Sequence, residues 1–169
     1  GIDWVMIGHL QTNKAKDVAQ LVSEVQSLDR LELAKALDRR LQHEGRAIDV
    51  LVQVKTSTEP SKYGLPPEQL SGFLNVLRGC DTLRVRGLMT LAIHSSEPLE
   101  VRACFSLLRE LRDRAIAQGH DIQRLSMGMS GDFPLAIAEG ASEVRIGTAI
   151  FGHRPYPDSY YWPEPPAKI

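Results

Sequence analysis

Short β-branched or apolar segments alternate along this chain with longer amphipathic segments, and this alternation constrains the fold more than any other feature. No two-residue turn pattern of the kind that joins antiparallel strands separates successive apolar segments. Alternation without hairpins predicts a parallel sheet with helices packed outside it. The six predicted strands are Trp4–Ile7, Val25–Leu28, Ile48–Val54, Leu83–Leu91, Arg124–Met127 and Glu143–Ile146.

Five amphipathic segments between these strands predict helices. The strongest is Leu31–Glu44, in which apolar residues recur at three- and four-residue spacing and which Gly45 is expected to end. Ser96 is expected to cap the fourth helix. The predicted helices are Lys14–Val22, Leu31–Glu44, Pro66–Arg78, Ser96–Gln118 and Pro134–Glu139.

A parallel sheet of this kind can close in two ways. One is an open, doubly wound sheet, and the other is a TIM-type (β/α)8 barrel with about six of its eight units present. Neither GxGxxG nor GxxxxGK[ST] occurs, so dinucleotide and P-loop sites lose their main support. We predict one barrel domain over residues 1–152 and a tail, 153–169, rich in proline and aromatic residues. Because the chain enters a strand almost at once after Gly1, we expect an upstream segment.

Composition narrows the range of partners. The net charge of −1 gives no electrostatic basis for nucleic-acid binding. No apolar run approaches the roughly 18 residues of a membrane helix, and no signal peptide is recognisable. Cys80 and Cys104 lie in apolar segments, which predicts buried free thiols and a reducing cytoplasm. The five histidines lack ligand spacing, so no metal site is expected.

Two loops carry the clearest chemical signal, and each directly follows a predicted strand. Residues 126–132 (SMGMSGD) and 145–152 (RIGTAIFG) combine glycine with hydroxyl side chains. Glycine lets backbone N–H groups approach an anion, and Ser130 and Thr148 can donate hydrogen bonds to the same phosphate. The alternative is that the glycines only form tight turns and that Ser130 caps the helix near Pro134. Two such loops at successive strand ends favour a phosphate site.

Other polar residues near the strand ends have two interpretations each. Arg145 points into the barrel as a buried cation, or outward to pair with a helix carboxylate. Asn13 contacts a cofactor or caps the first helix. We expect Asp132 to bind a backbone N–H of its own loop, and His9 and Lys62 to be solvated.

At these loops the sequence resembles a known family. The strings IGHLQTNK, VRGLM, LSMGMSGD and VRIGTAIFG, in this order, are similar to those of the YggS/PROSC family of pyridoxal phosphate homeostasis proteins. The resemblance runs from about Trp4 to Gly152. It implies a barrel like the amino-terminal domain of alanine racemase, with pyridoxal 5′-phosphate (PLP) as the cofactor.

The resemblance also implies roles for individual residues. Ser130, Gly147 and Thr148 would bind the phosphate, and Arg145 would face the pyridine nitrogen. Asn13 would approach the ring, and Met127 would line the pocket. No catalytic residue is assigned, because the family's Schiff-base lysine lies on a first strand expected upstream of this chain. Lys14, Lys55 and Lys62 are not given that role, and the family usually carries Asn where Lys55 stands.

The resemblance implies that the chain is a PLP-binding carrier or regulator in intracellular vitamin B6 homeostasis, without established catalysis. The first alternative is a fold-type III PLP enzyme, such as an amino-acid racemase. The second is a barrel remnant that acts only through protein contacts. The expected partners are PLP and PLP-dependent enzymes, with neither nucleic acid nor membrane involved, and the chain is expected to be a monomer or a dimer. A gap left by missing units would be filled by upstream residues or by a partner chain, or else the site would be lost.

Overall fold

The computed structural model describes residues 1–153 and 155–156. It confirms the predicted alternation: six strands form one sheet in the order β1 to β6, and every neighbouring pair is parallel. Most of the predicted tail, 153–169, lies outside the described residues. The strands are β1 Val5–Met6, β2 Glu24–Leu28, β3 Ile48–Gln53, β4 Leu83–Met89, β5 Arg124–Met129 and β6 Glu143–Arg145.

Five helices lie between the strands as predicted, with small differences at their ends, and a further helical turn follows the last strand. Two of them are preceded by a 3-10 turn, at Thr12–Lys14 and at Pro67–Gln69. The helices are α1 Ala15–Leu21, α2 Leu31–Glu44, α3 Leu70–Leu77, α4 Pro98–Ala117, α5 Phe133–Ala138 and the single turn α6 Thr148–Phe151.

Helix α2 shows how the sequence produces a local structure. Leu33, Ala34, Leu37 and Leu41 are fully buried and form the stripe that faces the sheet. Gly45 ends the helix in the left-handed conformation (φ 62°), as predicted, and the N–H of the following residue bonds to the Leu41 carbonyl at 2.9 Å.

The start of α4 corrects one prediction. Ser96 does not cap this helix, because the helix begins at Pro98 and the cap position is Glu97. Ser95 serves the helix start instead: its hydroxyl accepts the Glu97 N–H at 3.0 Å and donates to the Glu100 carboxylate at 2.6 Å.

The outward face of the sheet packs against the helices and is apolar. Val50, Val52, Leu88, Leu125 and Met127 belong to one buried cluster with the helix residues. Side chains alternate along a strand, so the intervening residues point to the other, concave face. That face carries Glu24 and Gln26 on β2 and Arg124 and Ser126 on β5, which bond to one another.

The sheet is strongly curved. Strands β2 and β5 are separated in the sheet by β3 and β4, so in a flat sheet they would lie about 14 Å apart. Yet the hydroxyl of Ser126 bonds to the amide oxygen of Gln26 at 2.6 Å. These side chains are too short to meet across a flat sheet. The sheet therefore forms a half-barrel and not an open, doubly wound sheet.

The described residues contain neither a candidate membrane helix nor a candidate metal-binding cluster. Among the described residues, no helix is long and apolar enough to cross a membrane. No group of three or more His, Cys, Asp or Glu side chains in that part of the chain could hold a metal ion. Cys80 and Cys104 are buried free thiols, as predicted, and burial raises the pKa of the Cys80 thiol.

Candidate functional site

A large cavity lies at the carboxyl ends of β4, β5 and β6, the edge where parallel β/α folds bind ligands. Its volume is about 1100 Å³. One wall is the loop after β4, and the other is formed by the loop after β5 and the turn that begins α6. Ser130, Gly131, Gly147 and Thr148 all belong to this second wall.

The two loops meet at the hydroxyl of Ser130. The Ser130 Oγ accepts hydrogen bonds from the backbone N–H of Gly147 at 3.2 Å and of Ala149 at 3.3 Å. Thr148, between these two residues, is exposed and lines the same cavity. Sequence reasoning placed Ser130 and Thr148 at one site, and the structure brings these segments together.

Ser130 does not cap the helix that follows it. Helix α5 begins at Phe133, its cap position is Asp132, and no side chain caps it. The Asp132 carboxylate accepts the Met129 N–H at 2.6 Å, which confirms the predicted bond within its own loop. The capping role that was an alternative for Ser130 is therefore excluded.

The glycines of these loops serve different purposes. A methyl group at Gly128 would lie 2.7 Å from the Ala136 Cβ, and its φ of 98° is unfavourable for other residues, so this glycine is needed for packing. Gly131 and Gly147 have nothing within 4 Å of the same position. Neither packing nor a left-handed backbone requires glycine there, and the open space leaves room for an anion to approach the backbone.

Arg145 points inward, which settles the choice left open by the sequence. Its Nη1 donates to the Ser126 Oγ at 2.6 Å and its Nη2 to the Thr90 carbonyl at 2.7 Å. Among the described ion pairs, none involves Arg145. Burial lowers the pKa of this guanidinium, although Asp132 and Glu143 act against the shift. Arg145 is a partly buried cation behind the cavity wall, and its hydrogen-bond partners are neutral groups.

Two predicted site residues lie elsewhere. Met127 is completely buried among the helix-facing residues and does not line the cavity. This corrects the expectation that it lines the pocket: its neighbour Ser126 points inward, so Met127 must point outward. Asn13 is exposed in the 3-10 turn after β1, is not part of the cavity wall and caps neither that turn nor α1.

The sequence analysis missed a set of polar residues that link the concave face to Arg145. Gln26, Thr90 and Ser126 are almost completely buried. Their only sequence signal is a polar residue at alternate positions of an otherwise apolar strand, as in Glu24 and Gln26 of β2.

His9 and Lys62, which were both predicted to be solvated, contact other side chains. His9 is not merely solvated, since its ring stacks on Tyr63 with centroids 3.9 Å apart and its Nδ1 lies 3.9 Å from the Asp29 carboxylate. Lys62 lines the cavity, and its ammonium lies 3.8 Å from Glu59.

Comparison with known proteins shows which family the chain resembles. The family described as "Alanine racemase, N-terminal domain" matches residues 2–155. A pyridoxal phosphate homeostasis protein of Aquifex aeolicus is 41% identical over 156 residues, which are 92% of this chain and 68% of that protein. The one from Pseudomonas aeruginosa is 39% identical over 155 residues, 92% of this chain and 66% of the relative. The chain thus spans about two thirds of the length of these relatives.

Solved structures agree. PipY of Synechococcus elongatus, solved with PLP bound, superposes with a TM-score of 0.82 at 35% identity, covering 89% of this chain and 71% of PipY. Its structure without PLP gives a TM-score of 0.83 at 36% identity, with the same coverage of both chains. An alanine racemase of Clostridium difficile matches with a TM-score of 0.70 at 15% identity, covering 94% of this chain and 41% of the racemase, which shows the shared fold alone.

Proposed function

The chain belongs to the alanine racemase N-terminal domain family and, within it, to the pyridoxal phosphate homeostasis proteins, and from this premise we propose that it binds PLP. It acts as a carrier or regulator of the PLP pool and not as a racemase. The observation that carries the proposal is the convergence of two backbone N–H groups, those of Gly147 and Ala149, on the Ser130 hydroxyl.

These groups suit a phosphate monoester. A phosphate needs several donors at one point, and two N–H groups and a hydroxyl meet here within 3.3 Å. The space beside Gly131 and Gly147 lets the anion reach the backbone. Thr148 adds a hydroxyl on the same wall. On binding, phosphate oxygens would replace the Ser130 Oγ as acceptors of the two backbone N–H groups.

Arg145 suits a site that does not rely on the ring as a strong electron sink, which is compatible with a PLP carrier and with a racemase-like site. When bound, PLP supplies an aldehyde that reacts reversibly with amines and a ring that can accept electron density. The ring accepts electrons best when its nitrogen is protonated. A guanidinium facing that nitrogen would put two cations side by side and therefore keeps the nitrogen unprotonated. In such an arrangement Arg145 would donate to the ring nitrogen and would weaken the ring as an electron sink.

We further propose that the whole protein closes the barrel with two more β/α units and that residues 1–152 form most of this one domain. The length of the relatives supports this, as do Trp4, Val5 and Ile7, whose apolar side chains are exposed at the β1 edge. The Schiff-base lysine would lie on one of those units. The buried free thiols Cys80 and Cys104 suit a cytoplasmic location, and PLP-dependent enzymes are the proposed partners.

Equilibrium dialysis with PLP tests the proposal. We expect the double variant Ser130→Ala, Thr148→Val to bind PLP more weakly, by about 1.5–3 kcal/mol for each hydroxyl lost to a charged group. Ser96→Ala is the matched control, since Ser96 lines the opposite wall of the same cavity. Equal affinity in the double variant and the control would remove the phosphate assignment. Sustained conversion of L-alanine to D-alanine would replace the carrier with the racemase alternative.

A further inference from the structure

A continuous set of hydrogen-bonded side chains crosses the concave face and ends at Arg145. We call it the concave-face network. It joins β2 to β5 and β6, which meet only because the sheet is curved. Its members are Glu24, Gln26, Arg124, Ser126, Glu143 and Arg145.

The carboxylates at one end fix the orientation of the Gln26 amide. The Gln26 Nε2 donates to Glu24 at 2.6 Å and to Glu143 at 2.9 Å. A carboxylate only accepts hydrogen bonds, so a flipped amide would point its oxygen at two acceptors. The nitrogen must therefore face the carboxylates, and Oε1 must face the opposite way, toward Ser126. Arg124 holds both carboxylates in place, with contacts of 2.5 Å to Glu24 and 2.9 Å to Glu143.

The orientation of Gln26 in turn fixes the Ser126 hydroxyl. Ser126 has one hydroxyl proton, and it donates this proton to the Gln26 Oε1 at 2.6 Å. Its lone pairs are left to accept, and Arg145 Nη1 donates to them at 2.6 Å. If Gln26 presented a donor instead, Ser126 would have to share its lone pairs. The orientation of Gln26 on β2 therefore makes the Ser126 Oγ an acceptor for Arg145.

The second contact of Arg145 fixes the plane of its guanidinium. Nη2 donates to the Thr90 carbonyl at 2.7 Å, while the Thr90 hydroxyl donates to the Val54 carbonyl at 2.8 Å. A guanidinium is planar and has five N–H donors, so two fixed contacts determine where the others point.

We propose that Gln26 is a positioning residue that aims the Arg145 guanidinium at the ring nitrogen of the bound vitamer. This inference rests on the proposed function, because it requires a bound vitamer whose ring nitrogen faces Arg145. Gln26 itself does not touch the ligand. Its effect is specific: it matters for ligands that offer a nitrogen to Arg145 and not for the phosphate contacts at Ser130 and Gly147.

Two ligands separate these effects. The first is pyridoxine 5′-phosphate, whose alcohol in place of the aldehyde prevents reaction with lysines. The second is its analogue with C–H in place of the ring nitrogen. Equilibrium dialysis of the whole chain gives the affinity for each, and their ratio measures the contribution of the nitrogen. The variants are Gln26→Leu and Ser126→Ala, the second of which removes the acceptor without disturbing the carboxylates. Gln53→Leu is the control, since Gln53 is equally buried but bonds to the Tyr63 carbonyl.

We expect Gln26→Leu and Ser126→Ala to lose about tenfold in affinity for pyridoxine 5′-phosphate and little for the analogue. Gln53→Leu should keep the wild-type ratio. In an Arg145→Met background, Gln26→Leu should change the ratio no further. A merely structural role would weaken both ligands equally, and that result, or an unchanged ratio in either folded variant, overturns the inference alone. A wild-type chain that binds neither ligand overturns the proposed function as well, and the inference falls with it.

Discussion

The two faces of the same sheet differ in chemistry and in what they do. The outward face is a buried apolar layer in which Val50, Val52 and Leu88 pack against the helices. The concave face is charged and hydrogen-bonded, and its side chains meet across strands that are not neighbours. The apolar face tolerates substitutions that conserve volume and apolar character, whereas each group of the concave face depends on the orientation of another. Stability should therefore come mainly from the first face and ligand geometry from the second.

The largest expected effect tests the apolar face. Phe105 on α4 is completely buried in the helix–sheet core. Truncation by Phe105→Ala should lower the free energy of unfolding by about 3–5 kcal/mol through lost burial and a remaining cavity. Urea denaturation followed by circular dichroism measures this. The comparison of the faces also requires the folded variant to bind PLP as the wild type does, and a large loss of affinity would show that the faces are not separable in this way.

A somewhat smaller effect is expected where the faces join, at the end of β5. Gly128→Ala would add a methyl group 2.7 Å from the Ala136 Cβ at a backbone φ of 98°. Steric overlap and an unfavourable backbone should cost about 2–3 kcal/mol of stability. Gly131→Ala is the control, since its added methyl meets nothing within 4 Å. If both variants unfold at the same urea concentration, the packing role of Gly128 is wrong.

These positions also show what sequence can and cannot predict. The bounds of α2 were predicted because helical periodicity and Gly45 are local features. The meeting of Ser130 with the Gly147 segment was predictable because the carboxyl ends of neighbouring parallel strands share one edge. The misplacement of Met127 arose because a motif names residues without their direction, and one residue along a strand reverses the face.

The concave-face network could not be predicted in this way. Gln26 and Ser126 are 100 positions apart, and their contact depends on the curvature of the whole sheet. Neither composition nor local periodicity encodes that curvature. The sequence left open whether Arg145 points inward or outward. The register that settles its direction includes an irregularity between β5 and β6.

A prediction of intermediate size tests the concave face. Arg124→Met leaves Glu24 and Glu143 without their cationic partner, and breaking such a pair is costly because the remaining charges stay desolvated. Arg124 is partly exposed, so we expect a loss of about 2 kcal/mol in urea denaturation, below the value for full burial. Unlike Phe105→Ala, this variant should also weaken PLP binding, since the carboxylates that orient Gln26 lose their support. Full PLP affinity in Arg124→Met would contradict the division between the faces.

The smallest effect is expected in the helix layer, where Glu139 at the end of α5 bonds to side chains of α4. Its carboxylate bonds to the Ser106 hydroxyl at 2.7 Å and to Arg102 and Arg109 at 2.7 Å each. The Ser106 hydrogen bond, followed by that of Arg102, lowers the pKa of Glu139 below its ordinary value of 4.5.

This shift fixes the sign of a pH effect. Because the folded-state pKa is depressed, the stabilisation is fully present above about pH 4.5 and is lost as the pH falls through the lower folded-state pKa. Glu139→Gln should therefore be less stable than the wild type near pH 7, and the difference should shrink steadily below about pH 4.5. Urea denaturation across this range measures it, with Asp113→Asn, an exposed carboxylate paired to the adjacent Arg112, as the control. A difference that stays constant with pH would show that Glu139 acts through shape and not through its charge.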